Sequence, residues 1–306
     1  MSNTFNGMSF TNIAQQGLSV FRKQMMNMGI FTRDFSPDVA AQGTAIATRI
    51  VPASAAAADQ SSVDYDDATI IGDITTTAVT VTLNQHYGVG FVLTDKEMDQ
   101  IGSGVMQDTQ NKVIEHKINA LAYNVLSYVY ALLTVSNYTN AMSAVDPAVC
   151  DNDDVVDWRT TLREANFPLD STSLVLNSDY IGALLKDSNI SQQYSSGLAA
   201  IVDGAGAVKR LAGMSVYEAV QLPTNSENLG GFACTPDCLA VAMRPIQEHG
   251  NVPTEYHEVL QDPMTGAVMN YYGWRQSSKR RWVHNFEVLY GASVGNASAL
   301  YRIPTA

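Results

Sequence analysis

The stretch Val79-Thr-Val-Thr-Leu-Asn-Gln-His-Tyr-Gly-Val-Gly-Phe-Val-Leu-Thr-Asp-Lys-Glu97 decides how the chain is read. Val79, Val81 and Leu83 alternate with threonines, and after the polar "NQHYG" the residues Val89, Phe91 and Leu93 alternate again. Two strands with one apolar face each, separated by a short polar turn, read as a hairpin. Thr94-Asp-Lys-Glu97 follows at once and has the form of a capping box, in which Thr94 and Glu97 satisfy the first amides of a helix. After "GSG" at 102–104 comes a helical pattern that runs to about Thr134 and would span roughly 45 Å at 1.5 Å per residue.

That helix is amphipathic. Ile114, Ile118, Leu121, Val125, Val129 and Leu132 form one stripe, and Lys112, His116, Asn119, Tyr123, Ser127 and Tyr130 fall on the other side. Nothing charged lies between Lys117 and Asp146, but the two-sided pattern argues for a core helix and against a membrane span. A helix this long needs sheet or loop to lie against, and the hairpin beside it is the expected support.

Around this centre the chain divides by composition. Residues 8–28 read as a short amphipathic arm. "FTRDFSPDVAAQG" is broken by Pro37 and Gly43, and "TAIATRIV" reads as a strand closed by Pro52. "PASAAAADQSSVDYDDAT" is small and acidic with little to bury, so an extended loop is expected. Beyond the long helix come a helix in "DDVVDWRTTLREANFP", a buried strand in "TSLVLN", a capped helix in "SDYIGALLKD" and a strand ended by Pro223. "TPDCLAVAMRP" reads as a helix opening on Pro236. The last third is β-rich, with strands in "TEYHEVLQ", "AVMNYYGW" and "RRWVHNFEVLYG" about a "DPMTG" turn. No internal repeat or heptad appears.

The 306 residues are 46% hydrophobic and only 16% charged, against about 25% charged in an ordinary globular protein. Depletion of charge is expected where much surface meets other protein. The 18 basic and 30 acidic residues give a net −12, which argues against a dedicated nucleic-acid reader. Cys150, Cys234 and Cys238 are an odd number in a long chain and predict reduced thiols and cytoplasmic folding. "MSNTFNGMSF" carries no basic, apolar signal region.

No catalytic or metal motif emerges. His86, His116, His249, His257 and His284 lack ligand spacing and read as scattered surface residues. Cys234 and Cys238 have no second pair, and Lys209 stands where the "GAGAVKRLAG" loop would need its third dinucleotide glycine. Asp66-Asp67 and Asp153-Asp154 are explained by loop solvation and helix capping. No cofactor is expected.

The order of arm, acidic loop, hairpin, long helix, α/β middle and β-rich end resembles the major capsid proteins of tailed double-stranded DNA bacteriophages. "FTRDFSPDVAAQGTAIATRI", "VTVTLNQHYGVGFVLTDKE" and "VLYGASVGNASALYRI" carry the likeness, which is strongest to coat proteins of short-tailed phages. The resemblance implies an α+β, Hong Kong 97-type capsid fold. Its divisions would be an N-arm at 1–35, an extended loop at 36–75, a peripheral domain with hairpin and spine helix at 76–135, an axial domain at 136–250 and returning peripheral strands at 251–306. It implies a structural protein and not an enzyme, self-assembling into pentamers and hexamers of an icosahedral virion shell in the host bacterial cytoplasm. The partners it implies are a separate scaffolding protein, a portal and enclosed double-stranded DNA held without sequence-specific binding, with no membrane. A nanocompartment shell of the same fold is the alternative within the fold, and an enzyme with an unrecognised site the alternative outside it.

Two sets of residues matter on that reading. Ile114, Ile118, Leu121, Val125 and Val129 would be the core of the spine. In relatives the extended loop overlies a neighbour's peripheral domain, so Asp64, Asp66 and Asp67 of the loop would meet Arg275, Lys279, Arg280 and Arg281 of the neighbour.

Overall fold

The computed structural model describes residues 10–50, 77–97, 107–187, 190, 210–220, 222–246 and 255–306. The quoted stretch does not fold as a hairpin. Its first strand, β3 (Thr77–Thr82), pairs antiparallel with β2 (Ala45–Ile50), from Ala45 opposite Thr82 to Ile50 opposite Thr77. Its second, β4 (Gln85–Thr94), pairs antiparallel along the long strand β12 (Arg281–Val294), with Thr94 opposite Arg281 and Gln85 opposite Tyr290. The alternation was read correctly, since Val81, Leu83 and Phe91 are buried while Thr80, Thr82, Gly90 and Val92 are exposed. The partner was not, because period 2 says which face is buried and not which strand lies alongside.

β3 lies across β12. Val81 and Leu83 pack with Ala240, Ala242 and Leu289 in a small core of their own. At the crossing a Cβ on Gly291 would stand 2.1 Å from the carbonyl oxygen of Thr82, so only glycine lets the two backbones approach.

The main sheet has the order β1–β9–β12–β11–β10, with β4 also on β12. Here β1 is Thr32–Phe35, β9 Leu239–Arg244, β10 Tyr256–Gln261 and β11 Val268–Gln276. All its pairings are antiparallel except β1 with β9. β9 corrects the helix expected at "TPDCLAVAMRP": Pro236–Cys238 is one 3-10 turn, and Leu239–Arg244 is strand. Five consecutive apolar side chains there, Leu239 to Met243, are all fully buried, the pattern of a strand covered on both faces.

One face of this sheet carries the helices. In α1 (Phe10–Met25) the residues Ile13, Gly17, Phe21 and Met25 are buried at intervals of four, and Phe10 stacks on Tyr256 of β10 at 5.1 Å. The segment read as an arm is therefore packed into the core. In α2 (Gln107–Tyr130) the residues Ile114, Ile118, Leu121, Val125 and Val129 are at most 1% exposed. Tyr130, assigned to the polar side, is also fully buried, with its ring 6.4 Å from Phe31 and 5.9 Å from Phe232. The helix stops at Tyr130 and not near Thr134. The amides of Leu132 and Leu133 bond back three residues, to Val129 and Tyr130, a tightened turn that ends the α-helix.

A second sheet has the order β13–β8–β5–β7–β6, with β5 Ser173–Leu176, β6 Arg210–Leu211, β7 Met214–Glu218, β8 Leu229–Cys234 and β13 Leu300–Pro304. Helices α3 (Asn152–Glu164) and α4 (Ser178–Lys186) pack with it around Trp158, Leu162, Tyr180 and Leu184. Asp151 and Asp154 close the capping box of α3, and Asn177 caps α4. The chain returns between sheets: β9 belongs to the first sheet and β13 to the second.

Candidate assembly surfaces

The basic cluster sits at the far end of the β11–β12 hairpin. Gln276 pairs with Arg281, Ser277–Lys279 is a 3-10 turn, and Arg280 closes it in the left-handed region. Arg275 lies 5.6 Å over the Trp282 ring, a cation–π contact. Its Nη2 donates to Asp95 Oδ2 at 3.2 Å, while Arg280 Nε stands 3.7 Å from the same oxygen. Asp95 follows directly on Thr94, whose capping box is formed: Thr94 N donates to Glu97 Oε2 at 2.7 Å, and Glu97 N to Thr94 Oγ1 at 3.3 Å. The donation from Thr94 N, and a second from Thr94 Oγ1 to the same oxygen at 2.8 Å, hold the Glu97 carboxyl below its ordinary range.

The cations predicted to meet a neighbour's loop thus have a carboxylate of their own chain among them. Arg281 Nε also donates to Gln276 Oε1 at 2.6 Å. What stays open is Arg280, with its side chain 84% exposed, and the exposed Lys279. Asp64, Asp66 and Asp67 lie outside the described residues.

Beside this cluster the sheet has a second face. By register Val92, Val283 and Trp274 stand in one row across β4, β12 and β11, on the side away from the inward-facing Phe91 and His284. The β2–β3 ribbon covers this face at its Leu289 end; Val92, 41% exposed, marks the end it leaves open.

Buried polar chemistry is structural in character. His284, read as a surface residue, is 1% exposed. Its Nδ1 shares a 2.7 Å hydrogen bond with Tyr271 Oη, its ring stacks on Phe91 at 4.9 Å, and Nε2 has no partner. Burial brings its pKa down to about 4. The sequence signal was the inward register of β12, since His284 alternates with Phe286 and Val288. Cys150, Cys234 and Cys238 are free and buried; burial pushes Cys150 up to about 12 and Cys238 well up.

A cleft of about 620 Å³ opens between the Asp146–Asp151 loop and α4, lined by acids including Asp146, Asp179 and Asp187 together with Lys186. Among the described residues no group of three or more His, Cys, Asp or Glu could hold a metal ion, and no helix is long and apolar enough to cross a membrane.

No protein-family model and no curated protein matches the sequence. Solved structures do resemble the chain. The capsid structure of cyanophage P-SCSP1u superposes with a TM-score of 0.55 at 11% identity, covering 90% of this chain and 86% of that one. The virus-like particle from Pyrococcus furiosus gives 0.52 at 10%, covering 94% and 96%. The mature capsid of bacteriophage PhiM1 gives 0.51 at 10%, covering 91% and 86%. At such identities the likeness defines the fold, which is α+β and of the Hong Kong 97 capsid type.

Proposed function

We propose that the chain is the major capsid protein of a tailed phage, self-assembling into pentamers and hexamers of an icosahedral shell around double-stranded DNA. The observation that carries this is the fold: subunits of two phage capsids and a virus-like particle align with nine-tenths or more of the chain. Low charge, a helix of 24 residues buried along one side and two separate sheets suit a plate-like subunit repeated through heterologous contacts. In that scheme residues 76–135 and 251–306 make the peripheral domain and 136–250 the axial domain, with β9 crossing into the main sheet and β13 into the second, and α1 of the N-arm packed on the main sheet. The role is structural and not enzymatic. A separate scaffolding protein and a portal would complete assembly in the host cytoplasm. The virus-like particle among the similar structures favours one alternative, a protein-filled compartment shell of the same fold.

Particles purified from the source culture decide between them. Expected is a shell of one dominant chain protecting duplex DNA from nuclease. Shells holding protein cargo and no DNA would favour the compartment, and absence of the chain from any particle would overturn both.

The loop contact is part of the proposal. Asp64, Asp66 and Asp67 would dock on Lys279 and Arg280 of a neighbour, beside the open row of Val92, Val283 and Trp274. One exposed ion pair contributes only about 0–1 kcal/mol, but every subunit repeats it. Changing the three aspartates to lysine should impair assembly, and adding Lys279→Glu with Arg280→Glu should partly restore it. Normal assembly of the loop variant at low salt, where screening is least, would refute the contact.

A further inference from the structure

The turn Thr224–Asn228, between β7 and β8, is held in an unusual backbone. Asn225, Ser226 and Asn228 have φ of 47°, 62° and 51°, a left-handed region that non-glycine residues rarely enter. Three such residues within four positions persist only where the surroundings fix them. The fixing is local, through Thr224 O, which accepts from the amides of Glu227 and Leu229. It is also long-range, and the long-range bonds run in two directions.

Asn225 Nδ2 donates to Tyr130 O at 3.2 Å and to Leu133 O at 2.6 Å. Tyr130 ends α2, its carbonyl also accepting from the Leu133 amide, and Leu133 lies in the turn just beyond, so a side chain from 92 residues away caps the helix end. Two residues on, the Glu227 carboxylate pairs with the Arg302 guanidinium of β13, both side chains largely buried. Arg302 Nε donates to Tyr138 O at 2.7 Å and Nη2 to Thr139 O at 3.4 Å. The Met142 amide donates to Arg302 O and the Arg302 amide to Asn140 O, while the Thr305 amide donates to Asn228 O. One five-residue turn therefore grips the end of α2, the connector that leaves it and the edge strand of the second sheet.

We propose that Asn225 and Glu227 are positioning residues that lock the α2 end of the first sheet to the second sheet and so set the subunit's curvature in the shell. The inference rests on the shell reading for its consequence, not for the lock itself. Capping alone would need only Asn225, and stapling β13 alone would need only Glu227. Their placement two residues apart, in a backbone held left-handed on both sides of Glu227, makes movement of one grip displace the other. A rigid plate with a fixed angle closes into shells of one diameter, whereas a loosened joint admits several.

The test compares Asn225→Ala and Glu227→Gln with Leu162→Ala, a cavity variant in the second core. The diameter distribution of assembled particles is expected to broaden at least twofold for both turn variants. Leu162→Ala is expected to lower yield without broadening it. Unchanged diameters for both turn variants would overturn the proposal. Hydrogen exchange on unassembled subunits provides an arm that needs no shell. Asn225→Ala should speed exchange about tenfold at the amides of Met142, Arg302 and Thr305, far from its own cap. Acceleration confined to residues 131–133 would overturn the lock even if particles form. If the unaltered chain makes no particle, the shell reading fails, and exchange alone still decides the lock.

Discussion

His284 should make the subunit acid-sensitive in a way that one substitution removes. In the folded chain the imidazole is 1% exposed among Phe91, Phe10 and Tyr271, and its Nε2 has no acceptor within reach. Whichever tautomer shares the bond with Tyr271, a proton added there would create a cation without water. Burial accordingly lowers the folded pKa from 6.5 to about 4. The unfolded chain binds the proton more readily, so this term costs nothing above pH 6.5 and subtracts stability as pH falls from 6.5 towards 4. Linkage puts the loss at roughly 2 kcal/mol at pH 5 and roughly 3 at pH 4. Against a typical total of about 5–15 kcal/mol that is a large share. Urea unfolding of the unassembled subunit at pH 7 and pH 5, run beside His284→Phe, isolates the effect, since other titrating groups are common to both proteins. The variant should lose stability at pH 7, where Tyr271 forfeits its partner, yet fall less on going to pH 5. Equal pH dependence in the two proteins would refute the reasoning, as would an imidazole signal that titrates near 6.5 in the folded subunit.

Other expectations concern packing and chemistry. Leu121→Ala should cost about 2–5 kcal/mol and Val125→Asp more, because its charge would be buried unpaired; a soluble, normally assembling Val125→Asp would mean the wrong helix face was assigned. Gly291→Ala would drive a methyl group into the Thr82 carbonyl, 2.1 Å away, and backbone cannot yield as a side chain can. A loss exceeding the about 1–3 kcal/mol of ordinary overpacking, seen as failure of soluble expression, is expected, and wild-type melting would contradict it. Between Lys23 and Lys96 the chain has no lysine, so its loop offers no amine for an isopeptide bond. Particles boiled in detergent should run near 33 kDa, and covalent ladders would contradict this.

Reading direction explains what the sequence showed and what it hid. Burial periodicity survives folding, so the stripe from Ile114 to Val129 and the alternations in β3, β4 and β12 were legible. The cap at Thr94 was legible for the same reason, its chemistry being contained within four residues; at α3 the sequence pointed to Asp153 and Asp154, whereas the cap is Asp151 with Asp154 closing the box. Pairing partners were not, because they depend on chain 27 to 205 residues away: β3 joins β2, and β4 joins β12. Tyr130 misled because its hydroxyl suggests the wet side, while its ring fills the space between Phe31 and Phe232. Strand β8 went unread because Gly230-Gly231 looks like a break; a Cβ on Gly231 would stand 2.6 Å from Val175 O, so the glycine is there for a neighbouring strand. The turn at Thr224–Asn228 was hidden most completely. Asn-Ser-Glu-Asn reads as an ordinary polar loop, and neither the helix end it caps nor the arginine it pairs lies within 70 residues of it. A polar residue in such a loop acquires a role only when distant backbone carbonyls and charges come to it, which is why the joint between the two sheets is visible in the fold and in no window of the sequence.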